Sequence, residues 1–135
     1  MRRKKDDHTL TKAEMEIMNI LWDEGHALST HAIIERYPEP RPAYSTIATF
    51  MKILTTKQFV SFRKADEGDK THYFYPLITR VEYTRQYMKE AKNTLFGGSL
   101  KSLISFFAEE EELSGDDLRE ILSLIERREE AETDL

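Results

Sequence analysis

Cysteine is absent from the 135 residues. That excludes a disulfide framework, a thiolate metal site and a cysteine nucleophile, so nothing in the chain calls for an oxidising compartment and a cytoplasmic location is expected. Long apolar runs are missing too. Uncharged stretches such as residues 73–79 fall far short of the roughly 20 apolar residues that cross a bilayer, and the basic cluster Arg2 to Lys5 has no apolar segment behind it, so neither membrane insertion nor a signal peptide is expected. The motifs of common catalysts are also lacking: there is no Gly-rich phosphate loop, no His-Glu-x-x-His and no Gly-x-Ser-x-Gly, and the expectation is that the chain is not an enzyme. The four histidines, His8, His26, His31 and His72, lack the i, i+4 spacing of a helical metal pair, and the run Glu109 to Glu112 lacks the alternating ligands and central glycine of a calcium loop; no metal and no cofactor are expected.

What is present begins with charge. Twenty Lys+Arg against 25 Asp+Glu give a formal net charge of −5, which by itself disfavours a polyanionic partner. The excess is unevenly spread: residues 1–80 carry 13 Lys+Arg and 11 Asp+Glu, whereas residues 81–135 carry 7 and 14. The acidity belongs to the C-terminal part, and the first part can still present cations locally.

The pattern of elements is legible from caps and periods. Thr11 and Glu14 form a capping box with Leu10 and Met15 as a staple, and Ala13, Ile17, Ile20 and Leu21 follow at helical spacing until Gly25, which predicts a helix from about Lys12 to Asp23. Ser29 caps a short second helix that Pro38, Pro40 and Pro42 prevent from continuing past Tyr37. A third helix starts at Tyr44-Ser45-Thr46, with Ile47, Phe50 or Met51, and Leu54 on its buried face and Ser45, Thr49, Lys52 and Thr56 opposite. The period then changes to two: Phe59 to Lys64 and Thr71 to Tyr75 read as the strands of a hairpin whose tip, Ala65 to Asp69, has Gly68 as the expected site of positive φ. From Thr79 the pattern is helical. Tyr83, Tyr87, Ala91 and Leu95 form one stripe, which Gly97-Gly98 breaks either as a plain interruption or as a hinge. Leu100, Leu103, Ile104 and Phe107 form a second stripe, and Leu118, Ile121, Leu122 and Ile125 a third, capped by Ser114.

Three helices followed by a hairpin is the order of a winged helix-turn-helix. The fold class is therefore mainly α with a small β-hairpin wing: a DNA-binding domain over 8–78 and a helical dimerisation domain over 79–130. A helix about 10–12 Å across fills a DNA major groove, and a face of short hydroxyl and methyl groups with one cation lets its backbone approach the base edges. Thr46 and Thr49 can hydrogen-bond bases or touch a thymine methyl, and Lys52 reaches guanine or phosphate. Ser29, Tyr44, Ser45 and Ala48 belong to the same candidate surface. Arg63, Lys64 and Lys70 flank the hairpin tip and would meet phosphates, with His72 touching DNA from the wing. The three apolar stripes of the tail are too thin to bury one another, which implies a homodimer and hence a palindromic double-stranded operator. Trp22, Met15 and Met18 read as packing, and Arg2 to Lys5 as a solubilising tail. The rival reading is an acidic winged-helix dimer that serves only as a protein-interaction scaffold.

Four segments carry a resemblance over roughly Leu10 to Leu122: Leu10-Thr-Lys-Ala-Glu-Met-Glu-Ile-Met-Asn-Ile-Leu-Trp22, Tyr44-Ser-Thr-Ile-Ala-Thr49, Tyr73-Phe-Tyr-Pro76 and Leu95-Phe-Gly-Gly-Ser-Leu-Lys-Ser-Leu103. Together they resemble the BlaI/MecI-type penicillinase repressors and their CopY relatives. The resemblance implies a homodimeric winged-helix repressor that occupies promoter palindromes and is released when a membrane sensor-protease pathway triggers cleavage of the dimerisation region, in an antibiotic-resistance setting. Members usually keep a basic residue where this chain has Ile53, and often another where it has Ala48, departures that bear on the operator sequence and not on the fold. Penicillinase-type members are cut before a Phe, commonly after Asn; the matching bond here is Phe106-Phe107, with Phe in place of that Asn. Copper-type relatives carry C-terminal cysteines, which this chain lacks, and that argues against thiolate metal sensing.

Overall fold

The computed structural model describes residues 9–110 and 113–133. The Arg2 to Lys5 cluster, and Glu111 and Glu112 of the acidic run, lie outside the described residues. The elements follow in the order α1 (Lys12–Glu24), α2 (Thr30–Glu35), α3 (Tyr44–Thr56), β1 (Val60–Arg63), β2 (Tyr73–Pro76), α4 (Arg80–Leu95), α5 (Leu100–Glu110) and α6 (Gly115–Thr133). They gather into two compact units, one ending at Tyr87 and the other beginning at Met88.

In the first unit α1 opens on the capping box. Thr11 Oγ1 accepts from the Glu14 N–H at 3.2 Å and Glu14 Oε1 accepts from the Thr11 N–H at 2.8 Å, so two otherwise unpaired donors are satisfied reciprocally. Gly25 ends the helix in the left-handed region at φ 72°, where its N–H donates to the Leu21 carbonyl. The buried face differs from the expected stripe. Met18 is fully buried between Ile17 and Leu21, Ala13 and Ile20 are only half-buried, and Glu14 completes the face at 2% exposure. An acid is tolerated there because Lys57 Nζ meets its two oxygens at 2.9 and 3.1 Å. Burial pushes the Glu14 carboxyl up, but the Thr11 N–H and the Lys57 ammonium outweigh it and hold the group below the usual carboxylate range.

Ser29 caps α2, its Oγ accepting from the Ala32 N–H at 3.1 Å. The proline connector then delivers the chain to α3, which buries Ile47, Met51 and Leu54 and leaves Phe50 half-buried. Gln58, at φ 67°, turns the chain from α3 into β1. The antiparallel hairpin pairs Val60 with Pro76, Ser61 with Tyr75, Phe62 with Phe74 and Arg63 with Tyr73. A third contributor was not foreseen: Leu28, just before α2, exchanges both main-chain hydrogen bonds with Phe74 at 2.8 and 2.9 Å. This clamps the root of the wing to the α1–α2 connection. The tip is corrected as well. Gly68 does not adopt positive φ, because the Asp66 carboxylate accepts the Gly68 N–H at 2.9 Å and closes the turn with a side chain instead.

Trp22 Nε1 donates to the Ile78 carbonyl at 2.9 Å, and the Leu10 N–H donates to the Tyr83 hydroxyl at 2.9 Å, so the start of α4 is fastened to α1. Tyr83 is the buried member of its stripe, while Tyr87 is half exposed. In the second unit Gly97 and Gly98 both adopt positive φ and end α4. Its helices leave apolar side chains in solvent: Leu95, Leu100, Phe106, Leu118, Leu122 and Ile125 are all exposed, and Phe107 too, with Leu103, Ile104 and Ile121 half-buried. No helix among the described residues is long and apolar enough to cross a membrane.

Candidate nucleic-acid interface

The interface is built from α3 outward. Because Ile47, Met51 and Leu54 hold one face of α3 in the core, Ser45, Thr46, Thr49 and Lys52 are turned to solvent. Thr49 Oγ1 donates to the Ser45 carbonyl at 2.9 Å, which fixes its rotamer and presents its methyl and remaining lone pairs outward. Ala48 is half-buried at the edge of this face. Tyr44, half exposed at the first turn, lies against the His31 ring of α2 with centroids 4.7 Å apart.

Alternation along the hairpin decides which side each wing residue serves. Phe62, His72 and Phe74 share one side, the His72 and Phe62 rings being stacked at 3.9 Å and 13°. They form one wall of an open groove of about 670 Å³, whose other walls are α2 and α3. The groove brings together Ser29, Tyr44, Ala48, Lys52, Lys70 and His72 of the expected residues, and adds Thr30, His31, Thr55, Phe62 and Thr71, which sequence reasoning passed over. Ser45, Thr46 and Thr49 stand exposed on α3 without lining it.

Arg63 is not brought to this groove. Its guanidinium sits 5.4 Å above the Tyr75 ring on the opposite side of the hairpin, in a separate cleft with Trp22, Leu77 and Arg80. Lys64 is exposed at the beginning of the tip. Among the described residues no carboxylate pairs with Lys52, Lys64 or Lys70, whereas Arg36, Arg41, Arg80 and Arg119 are engaged with Glu24, Glu39, Asp23 and Asp116. Asp69, which is held below the usual carboxylate range chiefly by the Thr71 N–H it accepts at 2.8 Å, is likewise occupied by its own turn. Lys52, Lys64 and Lys70 therefore stand on the α3 and wing side without a carboxylate partner among the described residues. No group of His, Asp and Glu among the described residues is arranged to hold a metal ion.

Three helices closed by a hairpin, with the third helix presenting a short-chain polar face beside the wing, define a winged helix-turn-helix protein with a helical C-terminal region. Within that class the chain belongs to the penicillinase repressor family, whose model matches residues 10–127. It is 28% identical over 121 residues to the methicillin resistance regulatory protein MecI of Staphylococcus aureus strain N315, covering 90% of this chain and 96% of the relative. It is 30% identical over 125 residues to a penicillinase repressor of Staphylococcus aureus, with 88% and 94% covered, and 25% identical over 117 residues to one from Bacillus licheniformis, with 87% and 89% covered. The family is made up of transcriptional repressors, which are not enzymes, and this chain is one of them.

Proposed function

We propose that the protein is a cytoplasmic homodimeric repressor that binds palindromic operator DNA through α3 and the wing, and that loss of the dimer releases the promoter. Thr46, Thr49 and Lys52 read base edges, Ser45 and Tyr44 sit at the helix start near the phosphates, and Lys64, Lys70 and His72 hold the backbone from the wing. Arg63 takes no part from the Tyr75 side and meets DNA only if it leaves that ring. The observation that carries the reading is the solvent-facing polar side of α3 with unpaired Lys52 at the mouth of the groove formed with the wing.

Residues 79–130 supply the dimer contacts, through Tyr87, Leu95, Leu100, Leu103, Ile104, Phe107, Leu118, Ile121, Leu122 and Ile125. The apolar area that the second unit leaves in solvent supports this. Induction through a membrane sensor-protease pathway follows from kinship with the antibiotic-resistance regulators. Cleavage at Phe106-Phe107 requires α5 to unwind locally, since proteases take substrates as extended chain, and the exposure of both rings favours that opening.

The test is selection of duplexes from a random pool, repeated with two variants. Lys52→Ala is expected to weaken binding by about 1–3 kcal/mol and to change the selected sequence, whereas Lys64→Ala weakens all sequences alike and lowers the salt slope by about 1. A pool in which wild-type protein enriches nothing favours the protein-interaction scaffold.

A further inference from the structure

The groove between α3 and the wing contains two histidines and no acid. His31 enters it from α2 and His72 from the wing, each set against an aromatic ring, Tyr44 and Phe62 respectively. Lys52 and Lys70 share the groove with them, and no carboxylate lines it among the described residues, although one residue in three of the chain is charged and acids outnumber bases. The charged and titratable groups nearest the two rings are few. On α2, Glu35 stands one turn beyond His31 without closing an ion pair with it; on α3 there are Tyr44 and Lys52; on the wing there are Lys70 and Asp69, the latter bound to the Thr71 N–H. Thr30, Thr55 and Thr71 add hydroxyls to the walls.

We propose that this groove is a proton-accepting cradle for one DNA strand, in which His31 and His72 are phosphate ligands in their protonated form, so that DNA binding takes up protons from solution. The proposal rests on the DNA-binding reading above and extends it to the regulation of that site. A phosphate brought beside an imidazole favours the charged ring, and imidazole is the side chain that changes charge just below neutral pH. Lys52 and Lys70 draw the strand into the same groove, beside the two rings. The protons therefore arrive with the DNA. Both rings are braced by aromatic neighbours, so their nitrogens are presented at fixed positions and little rotamer freedom is lost on contact. The contacts are to backbone and read no sequence, so the effect appears with any duplex.

The experiment is calorimetric titration of the full chain with sheared mixed-sequence duplex DNA at pH 6.5, in two buffers of different ionisation enthalpy, together with affinity measured at pH 6.0 and 7.5. Wild-type protein is expected to take up protons on binding and to bind about fivefold tighter per histidine at the lower pH, with a salt slope steeper by about 0.9 per ring. His31→Phe and His72→Phe keep the ring contacts with Tyr44 and Phe62 and each remove part of the uptake; the double variant binds without it. His26→Gln, on the other side of the hairpin, leaves the uptake intact. Should the His72 variant fold poorly, His31→Phe alone still decides, because that ring is exposed on α2. Duplex binding with no proton uptake by the wild type, or uptake unchanged in the double variant, overturns the inference and leaves the DNA-binding reading standing. No binding at either pH, of mixed-sequence duplex or of any duplex selected from a random pool, overturns both.

Discussion

Glu14 shows how a single side chain can serve two levels of structure. Its carboxylate closes the capping box that starts α1, and it also receives Lys57, the residue that caps α3. The C-terminal end of α3 is thereby fastened to the beginning of α1, 43 residues away in sequence. Replacing Lys57 by Met leaves a carboxylate buried without its cation, and an unfolding free energy lower by about 3 kcal/mol is expected in urea denaturation. The pH dependence follows with its sign. In the wild type Glu14 is depressed, so its contribution is present above the ordinary carboxylate range and fades as pH falls through the lowered value. In Lys57→Met the lowering by the ammonium is gone while burial still raises the carboxyl, so less stability is lost as pH falls. A denaturation series from pH 7 to pH 4 that shows the same slope in both proteins contradicts the role assigned to the pair.

At the scale of elements, conformational requirements sit at the joints between helices. Gly25 ends α1 at φ 72° with nothing within 4 Å of the position of a Cβ, so Gly25→Ala meets strain and no clash. A loss of about 1 kcal/mol in thermal or urea unfolding is expected, with DNA affinity of the folded protein unchanged; a loss several times larger would mean that the turn does more than reverse the chain. The same joints explain what was legible in the sequence. Thr11 with Glu14, Ser29 and Ser114 announce helix starts because a cap is a local hydrogen bond between near neighbours, and the structure has each of them. The Leu28–Phe74 bridge was not legible, since a main-chain pairing of one residue with a strand edge leaves no mark on composition. Glu14 was legible as the capping-box partner of Thr11 and not as a buried acid, because a buried acid is recognisable only once its distant cation is known. The candidate site was legible in part. The period of α3 gave its exposed face correctly, whereas the side of the hairpin taken by Arg63, and the arrival of His31 from another helix, depend on how β1 and α2 pack.

The whole molecule divides its charge and its apolar surface between two units. The excess of acid lies in residues 81–135, together with the exposed Leu118, Leu122 and Ile125 of α6, while Lys52, Lys64 and Lys70 lie on the first unit. In the proposed function a weakly basic first unit gains little from non-specific attraction, so tight binding is expected to depend on engaging two half-sites at once. Linking a second half-site is worth roughly 10²- to 10⁴-fold in affinity, and that gain disappears with the dimer. Carboxylates placed in the apolar face of α6 are therefore expected to act on DNA binding at a distance. Sedimentation should show the wild type as a dimer and Leu122→Glu/Ile125→Glu as a monomer whose first unit remains folded. The most direct test of the account is a salt series of affinity for a duplex that the wild-type protein itself selects. The account predicts steep salt dependence for the wild-type dimer and binding by the monomeric double variant weaker by about a hundredfold or more. Equal affinity of dimer and monomer, or failure of the wild type to bind any duplex at low salt, contradicts it.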